Sequence, residues 1–303
     1  MEFTVARADL VRELSLCQGV IEKRTTIPIL SNVLIEALGG AITLTATDLE
    51  LGIRCSCAAE VQTEGSGTVP LRRLLDYVRL LPDVNLSFKF SENAWASIVC
   101  GRSRTRLAGI SRESFPELPG LPAVVAEVPI GLLGEMISKT VFAIAAEETR
   151  FSLRGALLQS HGEGLVMVAT DGHRLAYTER STPTPALATP FRTLLPKKAM
   201  TEILRLAEGA DPNTVVHFAS DENHLFFQAG DHLLICRKLT GTFPDYDRVL
   251  PKEYYSQVSL QRKELQAAIE RVAQFADERS RSIRVEIAPG ELKVFSSISD
   301  TGE

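Results

Sequence analysis

The chain repeats itself at a spacing of about 125 residues, and internal repeats limit the possible folds more than any single motif. LTATDLEL (44–51) and VMVATDGHRL (166–175) both end a short apolar run in Ala-Thr-Asp, and Asp48 and Asp171 stand 171 − 48 = 123 residues apart. SFPELPGLP (114–122) and TFPDYDRVLP (242–251) place Phe115 and Phe243 at 243 − 115 = 128. Three segment starts also match: FTVARADLVREL (3–14), VPIGLLGEMI (128–137) and VSLQRKELQAAI (258–269). Each predicts a short strand feeding a helix. Aligning Val5, Ile130 and Leu260 gives offsets of 130 − 5 = 125 and 260 − 130 = 130.

The helices carry the expected period. Leu10, Leu14, Cys17 and Ile21 fall at i, i+4, i+7 and i+11, as do Leu265, Ile269, Val272 and Ala276; Leu133, Ile137, Val141 and Ile144 nearly match. Each set predicts one apolar stripe. Strands are expected at 42–47, 165–169, 215–218, 225–228 and 292–295, where short apolar runs alternate in part. A second helix starts after Pro70 with Arg72-Arg73, and after Pro196 with Lys197-Lys198, at 197 − 72 = 125. Proline suits the first turn, whose N–H groups lack intrahelical partners.

The unit is domain-sized, too long for a solenoid repeat. Proline-rich joints set boundaries at 1–122, 123–252 and 253–303. The third copy stops after a strand equivalent to 42–47 and lacks a second helix. The expectation is a truncated third domain.

Composition is that of a globular chain: 45% hydrophobic and 23% charged, with mean hydropathy +0.05. No run approaches the roughly 18 apolar residues of a membrane span. The N-terminus carries no signal-peptide pattern, so a cytoplasmic location is expected. Net charge is −5, which argues against a uniformly basic nucleic-acid binder. Basic residues nonetheless cluster at Lys23-Arg24, Arg72-Arg73, 102–106 and Lys197-Lys198, so a basic stripe on an acidic body is possible. Cys55 and Cys57 share one face of a strand and read, with Cys17, Cys100 and Cys236, as buried free thiols.

RTTIPILSNVLIEA (24–37), LTATDLEL (44–51), TVPLRRLLDYVRLLP (68–82), GRSRTRLAGI (101–110), SFPELP (114–119), VATDGHRLA (168–176), LPKKAMTEILRL (195–206) and GTFPDYDRVLPK (241–252) occur in this order. Together they resemble the bacterial DNA polymerase III beta subunit, the sliding clamp, along the whole chain. The resemblance implies an α+β DNA-clamp (processivity) fold: tandem similar domains of two helices packed on antiparallel sheets, the third incomplete here. It implies a head-to-tail homodimeric ring around duplex DNA, with helices lining the hole and sheets on the rim. Such a ring tethers the replicative polymerase and other replication and repair proteins to DNA. It is a non-catalytic accessory subunit of a nucleotidyltransferase holoenzyme, with no cofactor or metal.

Site residues follow from the same resemblance. Arg24, Arg73, Arg72, Lys197, Lys198, Arg7 and Arg150 are the expected phosphate contacts, sequence-independent as such contacts are. The expected partner-peptide pocket is Leu153, Thr170, Gly172, His173, Arg174, Leu175, Pro244, Arg248 and Val249. It would receive polymerase, clamp-loader and repair-protein peptides. Tyr77, Arg102, Arg104, Leu107 and Phe275 are expected at the dimer interface. With the third domain cut short, the 303-residue chain is expected not to form a stable closed dimer. A non-encircling interaction scaffold is therefore the alternative reading.

Catalysis has little to stand on. His161, His217, His224 and His232 are scattered, and neither GxxxxGK[ST] nor HExxH occurs. The first copy of the turn at Asp171-Gly172-His173-Arg174 is Thr47-Asp48-Leu49-Glu50, with neither His nor Arg. Thr-Asp is thus the shared turn element, and Gly172-His173-Arg174 is the addition of the second copy.

Overall fold

The computed structural model describes residues 1–22, 25–91, 93–146, 151–161, 164–181, 190–253, 256–277 and 280–296. The chain divides into two compact units, Met1–Phe243 and Pro244–Glu303. The division falls at 243–244, ahead of the boundary at 252.

The first unit runs one plan twice. The first pass is β1 (Glu2–Ala6), α1 (Arg7–Val20), β2 (Asn32–Leu38), β3 (Ala41–Thr47), β4 (Leu51–Thr63), β5 (Gly65–Pro70), α2 (Leu71–Arg79), β6 (Asn85–Phe90), β7 (Trp95–Cys100) and β8 (Ser103–Ala108). The second is β9 (Val124–Pro129), α3 (Ile130–Ser138), β10 (Gly155–His161), β11 (Gly164–Thr170), β12 (Leu175–Ser181), β13 (Arg192–Pro196), α4 (Lys197–Glu208), β14 (Val215–Ser220), β15 (His224–Ala229) and β16 (His232–Arg237).

Each pass gives the strand orders 8-7-6-1 and 4-3-2-5, or their counterparts 16-15-14-9 and 12-11-10-13, all antiparallel. Strand β4 links the repeats. Its second half pairs with β1, from Val5↔Ala59 to Glu2↔Thr63, and its first half pairs with β16, from Leu51↔Cys236 to Cys55↔His232. The two repeats therefore share one continuous sheet and one core.

Helices form a layer on that core. α1 packs against α2 and α4, and α3 against α4. α1 buries Leu10, Leu14, Cys17 and Val20, and α2 buries Leu71, Leu74, Leu75 and Val78. Each fully buried Leu contributes about 2 kcal/mol of transfer free energy. Three of the four helices follow Pro70, Pro129 or Pro196. The prolines sit one residue before the first turn, as N-caps with φ −59°, −57° and −62°. There each ends a strand and starts a helix without requiring an N–H. On the opposite face, Phe115 packs with Ile29, Leu30 and Leu34. Leu118 and Leu121 of the joint lie over Phe226, Leu233 and Ile235.

β11 does not alternate; all seven of its residues are buried. The second unit holds α5 (Arg262–Ala273) and the hairpin β17 (Arg284–Ala288) with β18 (Glu291–Phe295). The stripe Leu265, Ile269, Val272 and Ala276 is half-buried. Residues 258–260 are not a strand. β1 and β9 are held by β6 and β14, and among the described residues no such partner stands beside 258–260. No described helix is long and apolar enough to cross a membrane.

Candidate functional site

The two Thr-Asp turns have the same construction. Thr47 Oγ1 donates to the Leu51 carbonyl (2.9 Å) and accepts the Leu49 N–H (3.0 Å), while Asp48 Oδ1 accepts the N–H groups of Glu50 and Leu51 (3.0 and 2.7 Å). Thr170 likewise donates to the Arg174 carbonyl (2.7 Å) and accepts the Gly172 N–H (3.1 Å), and Asp171 Oδ1 accepts His173 and Arg174 N–H (both 3.0 Å). These two N–H bonds, joined by the Arg174 guanidinium, pull the Asp171 carboxyl down to about 2.

The copies differ in the use of the second carboxylate oxygen. Asp48 Oδ2 holds Lys198 of the other repeat. Asp171 Oδ2 holds Arg174 Nε at 3.0 Å. The same guanidinium donates from Nη2 to the Phe142 carbonyl (2.7 Å) and lies 5.7 Å from the Phe142 ring centroid. Phe142 is itself exposed. The turn thus fixes Arg174 between an aspartate and an aromatic face. Sequence reasoning does not single out Phe142, because nothing in its local pattern marks it.

The remaining pocket candidates separate. Gly172 and His173 are exposed, Leu175 is half-buried, and Thr170 and Leu153 are buried. Leu153 is only 2% exposed, so in this structure it underlies the surface and is not part of it. Pro244, Arg248 and Val249 belong to the second unit, where all three are exposed and Arg248 pairs with Asp245 at 2.8 Å.

Among the basic candidates, Arg24 and Arg150 lie outside the described residues. Arg73 and Lys197 are exposed at the starts of α2 and α4. Arg72 borders an open groove of about 610 Å³ with Ser15, Gln18 and Gly19 of α1 and Arg205 and Glu208 of α4. Arg205, reaching the same groove, carries no signal in the sequence because it sits at the far end of its helix from the basic pair. Two candidates are otherwise engaged. Arg7 donates to the Val78 and Arg79 carbonyls (3.0 and 2.6 Å), closing the C-terminus of α2. Lys198 is held by Asp48, and burial lowers its ammonium pKa, with Glu22 and Glu202 opposing.

Arg102, Arg104 and Leu107 mark β8 and the turn before it. β8 pairs with β7 alone and ends the long sheet. Arg102 and Arg104 are exposed, and Leu107 rests partly on the core with Tyr77. Phe275 is half-exposed in the second unit.

Comparison with known proteins gives matches along the whole chain. Models of the DNA polymerase III beta subunit match in order: N-terminal domain at 1–119, central domain at 127–245 and C-terminal domain at 247–303. The chain is 36% identical over 312 residues to the beta sliding clamp of Caulobacter vibrioides, covering 100% of this chain and 82% of the relative. It is 32% identical over 305 residues to that of Chlamydia muridarum, with the same coverage. A sliding clamp from Pseudomonas aeruginosa solved with griselimycin superposes with a TM-score of 0.91 at 33% identity, covering 98% of this chain and 80% of that one. One from Bacillus subtilis gives 0.93 at 25% identity, covering 100% and 82%.

Proposed function

This chain belongs to the DNA polymerase III beta-subunit family, the beta sliding clamps, and on that premise we propose how its own residues do a clamp's work. As a family member it is a DNA sliding clamp, a non-catalytic processivity factor of replication. The non-encircling alternative is not favoured by its relatives.

One observation carries the residue-level reading: two equivalent helices on one layer both begin with a basic pair, Arg72-Arg73 and Lys197-Lys198. Arg73, Arg72 and Lys197 are the phosphate contacts, with Arg24 and Arg150 as further members of the set. A few non-specific contacts keep affinity low enough to slide. The clamp works on cytoplasmic DNA without reading its sequence. After loading, the protein should stay on nicked circular DNA and slip off when the circle is linearised. Equal retention on both forms would refute encirclement.

The Thr170–Leu175 turn is the docking element for peptides of the polymerase, clamp loader and other clamp-binding proteins. Gly172 keeps its backbone bare, Leu175 offers an apolar contact and Arg174 a fixed cation. Pro244, Arg248 and Val249 of the second unit carry the same assignment. In the family the ring is a homodimer, and Arg102, Arg104, Leu107, Tyr77 and Phe275 are this chain's residues for that interface. The repeat supports β8 in this role: its counterpart β16 uses the same outer edge to join β4. Sedimentation of Leu107→Asp against wild type tests it, with weaker self-association expected.

A further inference from the structure

We propose that Glu13, Cys55 and His232 form a zinc site that pins the two repeats of the first unit together. The donors come from three elements. Glu13 lies on α1, Cys55 on β4 and His232 on β16, and Cys55 and His232 are direct partners across the β4–β16 ladder. Directly opposed residues of an antiparallel pair share a face. One carboxylate oxygen, the thiol sulfur and one ring nitrogen all lie within 4.8 Å of one another. Tetrahedral zinc, with bonds of about 2.0–2.3 Å, needs donors roughly 3.5 Å apart. Opening the 2.8 Å Glu13–His232 contact and drawing the Cys55 sulfur toward both gives that geometry. Cys17, one turn along α1 from Glu13, lies outside this set.

The surroundings are arranged as metal ligands require. Arg12 Nε donates to Glu13 Oε1 at 2.7 Å and leaves Oε2 facing His232 Nε2 at 2.8 Å. Outer partners of this kind orient ligating carboxylates and imidazoles. A divalent cation would offset the Glu13 carboxylate and stabilise the Cys55 thiolate. Binding releases the Cys55 proton and any proton on His232 Nε2, with no change of oxidation state. Mixed sulfur, nitrogen and oxygen donors suit Zn²⁺ better than Mg²⁺ or Ca²⁺. Glu13 and Cys55 are fully buried, and the His232 side chain, 26% exposed, gives the ion its way in.

Cobalt titration of the chelator-stripped full chain tests the site. The expected result is one equivalent of Co²⁺ per chain, with a thiolate-to-cobalt charge-transfer band that Zn²⁺ displaces. Cys55→Ser should abolish the band, and His232→Gln should weaken binding at least about tenfold. Cys57→Ser, outside the set, should leave it intact. Metal-free melting curves establish that each variant folds, and His232→Gln tests the site independently should Cys55→Ser not fold. A folded Cys55→Ser chain that keeps the band overturns the site, as does wild type that binds Co²⁺ without it.

Discussion

Leu49 and Gly172 occupy the same place in the two Thr-Asp turns, and both have left-handed backbone, φ +77° and +90°. From sequence, Gly172 reads as an addition of the second copy that frees its backbone. The first copy makes the same turn with leucine and bears the strain. A non-glycine residue in that region costs about 1–2 kcal/mol. Gly172→Leu should therefore fold, with the turn intact, and lose about that much stability, or about 2–4 °C in Tm for a body of this size. Loss of folding would mean that the two turns are not equivalent. The same variant should lose binding of a clamp-binding peptide, because a side chain now covers the backbone. Thr-Asp is legible because it recurs 123 residues apart (171 − 48). The role of Glu13 is not, since its charge falls inside an apolar helix stripe and its partners, His232 and Cys55, come from distant strands. Metal spacing rules find ligands close in sequence, and these are not.

At the scale of elements, the helix stripes and the strands flanking the Thr-Asp turns can be read from residue spacing. The pairing of β4 cannot: one edge follows β3 of its own repeat while the other passes from β16 of the next repeat to β1 of its own, and nothing local marks where the partner changes. α3 shows how polar pairs fasten a helix to the strands. Glu135 accepts from Arg180 of β12 (2.8 Å) and from Lys139 (2.5 Å). The Arg180 bond, followed by that of Lys139, pulls its carboxyl down from 4.5 to about 2. A carboxyl whose pKa falls on folding stabilises the fold above its unfolded value and loses that contribution as pH drops through its folded one. The pair should thus act fully above about pH 4.5 and fade toward pH 2. The urea midpoints of wild type and Glu135→Gln should differ at pH 6 and converge as pH falls to 2. Because the pair is solvent-exposed, the difference should be small and shrink in high salt. A gap that widens on acidification would overturn the assignment.

For the whole molecule, the question is which cations remain available to DNA once the repeats have been joined. Arg7 and Lys198 belong to the joints: one closes α2 and the other answers Asp48 across the repeat boundary. Among the described residues Arg73 and Lys197 have no such duty, and they stand exposed at the helix starts. The sequence shows four equivalent-looking charges in two pairs, and only the fold separates Lys197 from Lys198, because Asp48 meets Lys198 through tertiary packing. Salt dependence of DNA binding can count the difference. Each phosphate contact contributes about 0.9 to the slope of log K against log salt. Arg73→Ala and Lys197→Ala should each lower the slope by about 0.9, uniformly across DNA sequences. Lys198→Ala should lower it by less and instead reduce thermal stability, since it leaves the nearly buried Asp48 carboxylate without its cation. If Lys198→Ala takes as much from the slope as Lys197→Ala and nothing from stability, the division of labour between the two lysines is wrong.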